Sequence, residues 1–252
     1  MSARFSRILH EGNARWVRHE PDQYVLLSKA PWDAPEDAGH VPEGFTLLAP
    51  AEASKIVCVG RNYAAHAAEL GNQVPKEPLL FLKPPSALIA HGEAIELPSA
   101  SECVEHEGEL AAVIGCRLRD GDVTDAANAV FGWTCANDVT ARDIQRADVQ
   151  FTRGKGFDTF CPLGPSLTTD VDVSSLGLEV FVGEEPRQRG RTDAMVWPPY
   201  ELIAFISNVM TLEPGDIVLT GTPAGVGPMK AGDIVRVSIE GLEDLVNPVR
   251  DR

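Results

Sequence analysis

Apolar residues in this chain come in short blocks punctuated by turn formers, a spacing that predicts many strands and few helices. Arg15-Trp16-Val17-Arg18 and Tyr24-Val25-Leu26-Leu27 are strand-like runs separated by Pro21-Asp22, so residues 1–27 read as a small β-meander. Residues 28–50 carry Pro31, Pro35, Pro42 and Pro50 with few apolar residues, and read as a surface connection. KIVCVG at 55–60 is a continuous apolar run ended by Gly60, as expected of a buried strand. RNYAAHAAELG is rich in alanine and closes on Gly71, which predicts a short helix stopped by glycine. Residues 79–97 read as short strands broken by Pro84-Pro85 and Gly92. Glu109 to Ile114 reads as a strand, 125–130 as a short helix, Gly132 to Ala136 as a strand and 138–147 as a helix.

In the last third, Leu178 to Val182 precedes Gly183 as the first arm of a hairpin would. Pro198-Pro199 opens a helix with Leu202, Ile203, Ile206 and Met210 on one side. Gly-Asp-Ile-Val occurs at 215–218 and again at 232–235, each copy reading as a turn feeding a strand. Helices do not alternate strictly with strands. The fold class expected is therefore α+β, β-rich, and not a doubly wound sheet.

Composition narrows the function. The chain has 252 residues and a net charge of −15, from 22 basic and 37 acidic residues. Counterion release needs positive charge, so the expectation is no nucleic acid and no anionic membrane surface as partner. No apolar segment approaches the ~18 residues that span a bilayer, and charges at Arg4, Arg7 and Glu11 interrupt any leader-like run. Five cysteines form no Cys-x-x-Cys pair, which argues for reduced thiols in a cytoplasmic protein.

Several clusters could carry chemistry. Glu107 and Glu109 stand at i and i+2 of a predicted strand and share a face, where they repel unless a cation lies between them. The alternative is two solvent-facing strand residues. Asp138, Arg142 and Gln145 share one face if 138–147 is helical, giving a carboxylate, an anion clamp and an amide; the alternative is a capping carboxylate and a solvated ion pair. His66 and Glu69, at i and i+3, could form an imidazole general base oriented by a carboxylate, or a plain surface pair. Lys155 lies between Gly154 and Gly156, on backbone able to approach a ligand closely, and Lys83 is a second candidate cation. The loop Gly221 to Gly227 lacks the lysine of a phosphate loop; it reads as a turn offering N–H groups and the Thr222 hydroxyl to a carboxylate.

The ordered motifs GRNYAAHAAELG, PLLFLKPPSAL, EHEGELAAVIG, NDVTARDIQ, GKGFDTFCPLGP and LTGTPAGVGP resemble those of the fumarylacetoacetate hydrolase family, from about Lys55 to Val249. The likeness is to the acylpyruvase and oxaloacetate decarboxylase branch, with similarity also to the homoprotocatechuate-pathway isomerase and decarboxylase branch. It implies a mixed β-sandwich or roll with peripheral helices, residues 1–50 forming a small N-terminal meander and connection and 51–252 the catalytic domain. The resemblance implies Mg²⁺, with Mn²⁺ or Ca²⁺ as substitutes, on Glu107, Glu109 and Asp138. It implies catalytic roles for His66, Glu69 and Lys155, and substrate contacts from Arg142, Gln145, Thr222 and Lys83. The partners implied are a small anionic 2-oxo acid substrate and a second copy in a homodimer. The reaction expected is hydrolytic or decarboxylating C–C cleavage of a 2,4-dioxo acid or oxaloacetate through a stabilised enolate. The alternatives are an isomerase of unsaturated 2-hydroxy or 2-oxo dioates in aromatic catabolism, and a metabolite-binding protein that kept the fold.

Overall fold

The computed structural model describes residues 2–41 and 44–252; Met1 of the predicted meander and Pro42 of the predicted connection lie outside them, as does Glu43. The chain opens with strands β1 (Arg4–His10), β2 (Asn13–Glu20) and β3 (Gln23–Leu27), followed by β4 (Asp37–Val41) and β5 (Thr46–Leu48). The first three are the expected meander. The stretch read as a bare connection instead supplies two strands, because β4 pairs with β3 and β5 with β1. Backbone pairing supplies there what few apolar side chains could not.

Next come β6 (Ile56–Gly60), helix α1 (Ala64–Glu69), β7 (Leu79–Lys83), β8 (Leu88–Ile89), β9 (Ile95–Leu97), β10 (Val104–His106) and β11 (Gly108–Ile114). Helix α2 (Val123–Ala129) leads into β12 (Val130–Asn137), β13 (Thr140–Ala141), α3 (Arg142–Ala147), α4 (Thr152–Lys155) and β14 (Cys161–Thr168). The hairpin β15 (Gly177–Val182) and β16 (Glu185–Arg191) precedes α5 (Pro199–Val209), β17 (Ile217–Leu219), β18 (Gly227–Pro228), β19 (Ile234–Ile239) and β20 (Leu245–Asp251).

A 12-stranded mixed sheet runs β4-β3-β2-β1-β14-β12-β11-β17-β6-β7, with β5 joined at β1 and β8 at β14. A five-stranded sheet, β16-β15-β19-β20-β9, covers one face, and a small third sheet is ordered β13-β10-β18. The result is a β-rich α+β sandwich with short peripheral helices. The unbroken apolar runs follow from its layering. Successive residues of a strand point to opposite faces. In β11, Leu110, Ala112 and Ile114 enter the core beneath the five-stranded sheet, while Ala111 and Val113 enter a second core on the other side. Val57 and Val59 of β6 divide from Ile56 and Cys58 in the same way. Each large side chain buried there contributes about 1.5–3 kcal/mol.

A predicted helix differs as well. Residues 138–147 do not form one helix: Val104 pairs with Ala141 and Glu105 with Thr140, so extended backbone continues until α3 begins at Arg142. The β-branched Val139 and Thr140 suit that conformation, and Thr140 Oγ1 donates to the Asp138 carbonyl at 2.8 Å. Asp138 therefore reaches its neighbours from a sheet end, not from a shared helical face.

Candidate active site

Glu107 occupies the break between β10 and β11. Its N–H donates to Asn137 Oδ1 at 2.9 Å, and its carbonyl accepts from the Asp138 N–H at 2.8 Å. Those bonds tie together two acidic residues at the ends of adjacent strands. Glu109 joins from the same stretch, one of its oxygens accepting the Gly221 N–H at 2.6 Å. All three side chains are buried, and one oxygen from each lies within 4.8 Å of the others. Between the glutamates only glycine fits, because a Cβ on Gly108 would collide with Val180 Cγ2 of β15.

Cations hold this acidic centre. Lys155 Nζ donates to Glu107 Oε2 at 2.7 Å and to Asp138 Oδ2 at 2.6 Å. Arg142 binds Glu107 with one nitrogen, Glu105 Oε2 through Nε at 2.6 Å, and Gln145 Oε1 with a third. Burial alone would push Glu107 up, but Lys155 and Arg142 overcome it and hold this carboxyl below its usual range. Burial would likewise neutralise Lys155, yet Asp138 and Glu107 keep it an ammonium. Among the described residues, Glu109 has no such cation at hydrogen-bonding distance; burial, with Asp138 and Glu107 beside it, pushes its carboxyl well up. A divalent ion would supply the missing countercharge. The donor set is all oxygen and partly anionic, which suits Mg²⁺, Mn²⁺ or Ca²⁺ in kind.

The carboxylates line the floor of a cavity of about 480 Å³, whose walls include His66, Arg142, Gln145, Lys155 and Thr222. His66 is buried, and its Nδ1 faces Glu69 Oε2 at 3.5 Å, a contact longer than a formed hydrogen bond. Glu69 is itself held by the Gly225 N–H at 3.0 and 3.1 Å. The glycine loop thus spends its Gly221 and Gly225 amides on the site's own carboxylates. Thr222 also turns inward: its hydroxyl donates to the Gly108 carbonyl at 2.8 Å.

Two expectations change in detail. Lys83 is fully enclosed behind Asp138, bonded to that carboxylate and to the Val139 carbonyl at 3.0 Å, and is not part of the cavity wall. The glycines around Lys155 serve packing: a Cβ on Gly154 would stand 2.9 Å from the Gln145 nitrogen, so α4 reaches α3 only with glycine there.

Sequence reading missed Glu105, His106 and Gln188. Gln188 Oε1 accepts from the Gly108 N–H at 3.0 Å and from His106 Nδ1 at 3.1 Å. Its Nε2 donates to Thr222 Oγ1 and to the Pro223 carbonyl, both at 2.7 Å. One amide therefore ties the glutamate-bearing strand to the Gly-Thr-Pro loop. No local spacing announces it, because its partners are distant in the chain.

The arrangement defines a β-rich protein with a buried acidic, cation-braced centre under an open cavity. Residues 55–250 match the family described as Fumarylacetoacetate (FAA) hydrolase C-terminal, and the chain belongs to that family. It is 45% identical over 196 residues to the mitochondrial oxaloacetate decarboxylase of Dictyostelium discoideum, covering 75% of this chain and 90% of that one. It is 44% identical over 207 residues to the mitochondrial oxaloacetate tautomerase FAHD1 of Arabidopsis thaliana, covering 80% and 93%. Among solved structures, the 2-hydroxyhepta-2,4-diene-1,7-dioate isomerase of Mycobacterium marinum superposes with a TM-score of 0.92 at 40% identity, covering 99% of both chains. Among the described residues, no helix is long and apolar enough to cross a membrane.

Proposed function

We propose that this protein is a divalent-metal-dependent enzyme that cleaves the C3–C4 bond of 2-oxo acids carrying a carbonyl or carboxylate at C4. The observation that carries the reading is the convergence of Glu107, Glu109 and Asp138 within 4.8 Å, buried at the floor of a cavity that Lys155 also lines. Glu107, Glu109 and Asp138 would hold the ion. When bound, it supplies Lewis-acid stabilisation of the negative charge that develops on the substrate's C2 oxygen.

The chain's own residues do the rest. Lys155, kept protonated, places a fixed positive charge beside the developing enolate. Gln145 and the Thr222 side chain border the substrate's space and restrict its orientation. For a 2,4-dioxo acid, His66 takes a proton from water, with Glu69 orienting the ring. The hydroxide adds to C4, the C3–C4 bond breaks, and its electron pair becomes the enolate of pyruvate. The protonated His66 then returns its proton at C3, which restores the neutral ring and completes the products, a carboxylic acid and pyruvate. For oxaloacetate the same bond breaks with loss of CO₂ and needs no water attack.

A second reading is proton transfer alone: interconversion of keto and enol forms, or isomerisation of an unsaturated dioate. The buried His66 beside the cavity favours it, because a base so placed can move a proton between C3 and an oxygen without bond cleavage. We further propose a cytoplasmic homodimer. Assays with oxaloacetate, acetylpyruvate and an unsaturated 2-hydroxydioate, with Mg²⁺ and after exhaustive chelation, test the readings. Release of pyruvate that depends on the ion supports cleavage; enol–keto exchange with no pyruvate supports the second reading. Full turnover in metal-free protein would refute the metal-dependent reading.

A further inference from the structure

Arg142 carries one positive charge between two buried carboxylates. Its Nε donates to Glu105 Oε2 at 2.6 Å, while a terminal nitrogen binds Glu107. Of the two acids, Glu107 belongs to the triad and Glu105 does not. Among the described residues, Arg142 is the one cation within 4.0 Å of Glu105. We infer that Glu105 is a positioning residue for the divalent ion: by sharing Arg142 with Glu107, it leaves Glu107 the negative charge a ligand needs. The inference rests on the ion-binding reading of the triad and deepens it.

The small third sheet builds this sharing. Glu105 lies in β10, paired with Thr140 of β13 on one side and Pro228 of β18 on the other. The Arg142 N–H donates to the Cys103 carbonyl at 2.7 Å, so the backbones bearing the two groups are joined. Residues two apart in extended chain face the same way. Glu105 and Glu107 accordingly meet Arg142, while His106 between them turns to Gln188. A guanidinium has donors on several edges, so one side chain holds two carboxylates at once. Among the described residues, both lysine and arginine partners of Glu107 are divided in this way: Lys155 is shared with Asp138, and Arg142 with Glu105. Asp138 is itself a triad member, so Glu105 is the acid that draws cationic charge away from the triad. Without the Glu105 charge, Arg142 pairs with Glu107 alone and opposes an incoming ion, a contest between close, buried charges.

Mn²⁺ binding read by electron paramagnetic resonance, with no substrate added, tests the role apart from turnover. Glu105→Gln keeps the size of the side chain and an acceptor for Arg142 but removes the charge, and should lower Mn²⁺ affinity about five-fold or more. Glu105→Asp, which keeps the charge, should recover part of that loss. In an Arg142→Met background, Glu105→Gln should lower affinity by less than about two-fold, because the group it acts through is gone. Thermal unfolding checks that each variant is folded; should Arg142→Met not fold, Arg142→Gln takes its place. An affinity unchanged in Glu105→Gln would overturn the positioning role and leave the ion site standing. An equal loss with and without Arg142 would also overturn it, since Glu105 would then attract the ion directly. Failure of the wild type to bind Mn²⁺ would overturn both the role and the ion-binding reading.

Discussion

A single ammonium bridges two members of the acidic triad: Lys155 Nζ lies 2.7 Å from Glu107 and 2.6 Å from Asp138. Replacing it with an isosteric apolar chain separates its charge from its bulk. Lys155→Met should lower oxaloacetate turnover by about 10²–10³-fold, the usual cost of removing one charge-stabilising donor. Mn²⁺ affinity, read by electron paramagnetic resonance, should not fall, because a competing cation has been removed. Loss of ion binding in parallel with activity would instead mean that Lys155 only shapes the carboxylates.

Among the described residues, Glu109 is the triad member without a side-chain cation at hydrogen-bonding distance, so it has most to gain from an ion. Glu109→Gln should remove the rise in melting temperature that Mg²⁺ gives the wild type, since only a ligand bound by the native state raises it. An undiminished rise would exclude Glu109 from the ion's ligands.

The His66–Glu69 pair separates two chemistries. His66→Ala should cost hydrolysis of acetylpyruvate about 10²–10⁴-fold, the range for a lost general base, and cost oxaloacetate decarboxylation far less. Equal losses in steady-state assays of both substrates would mean that this histidine does not activate water.

Gln188 gathers four partners from two parts of the chain. Gln188→Leu should leave the Gly108 N–H without its partner and free the Thr222–Pro223 loop, each buried loss costing about 1–3 kcal/mol. Urea denaturation reads the stability, and a fall in kcat in protein that is still folded reads the site. Wild-type values for both would show that the loop is held by other contacts.

Acid should loosen the N-terminal strands through His19. Burial holds its imidazole below the usual value of 6.5, and its Nε2 lies 2.9 Å from Ser6 Oγ. The neutral ring is therefore favoured in the native state. Its contribution is fully present above pH 6.5 and is lost as pH falls from there through the lowered native value, because the unfolded chain takes up a proton that the native chain resists. Urea denaturation between pH 7.5 and 5 should show a shallower decline in His19→Gln than in the wild type. Identical slopes would remove His19 from the effect.

Much of this architecture is legible from local spacing. Glu107 and Glu109 could be placed together because strand periodicity is local, and the apolar runs at 55–60 and 109–114 announce strands buried on both faces. The path from Asp138 to Gln145 was not legible. Its helical spacing is sound, but pairing with β10, more than 30 residues earlier, decided the conformation. Gln188 lies 80 residues from Gly108 and 34 from Thr222, so nothing nearby marks it. Lys83 reads as a second candidate cation and proves to be enclosed, since only the sheet shows what stands in front of it.

Gly108 leaves an engineer little freedom. Val180 occupies the space into which any side chain there would grow, so the interval between the two glutamates is closed to redesign unless the neighbouring sheet is rebuilt as well. Attempts to change what this protein accepts will have to work at the rim, where side chains can be exchanged without disturbing the layers beneath.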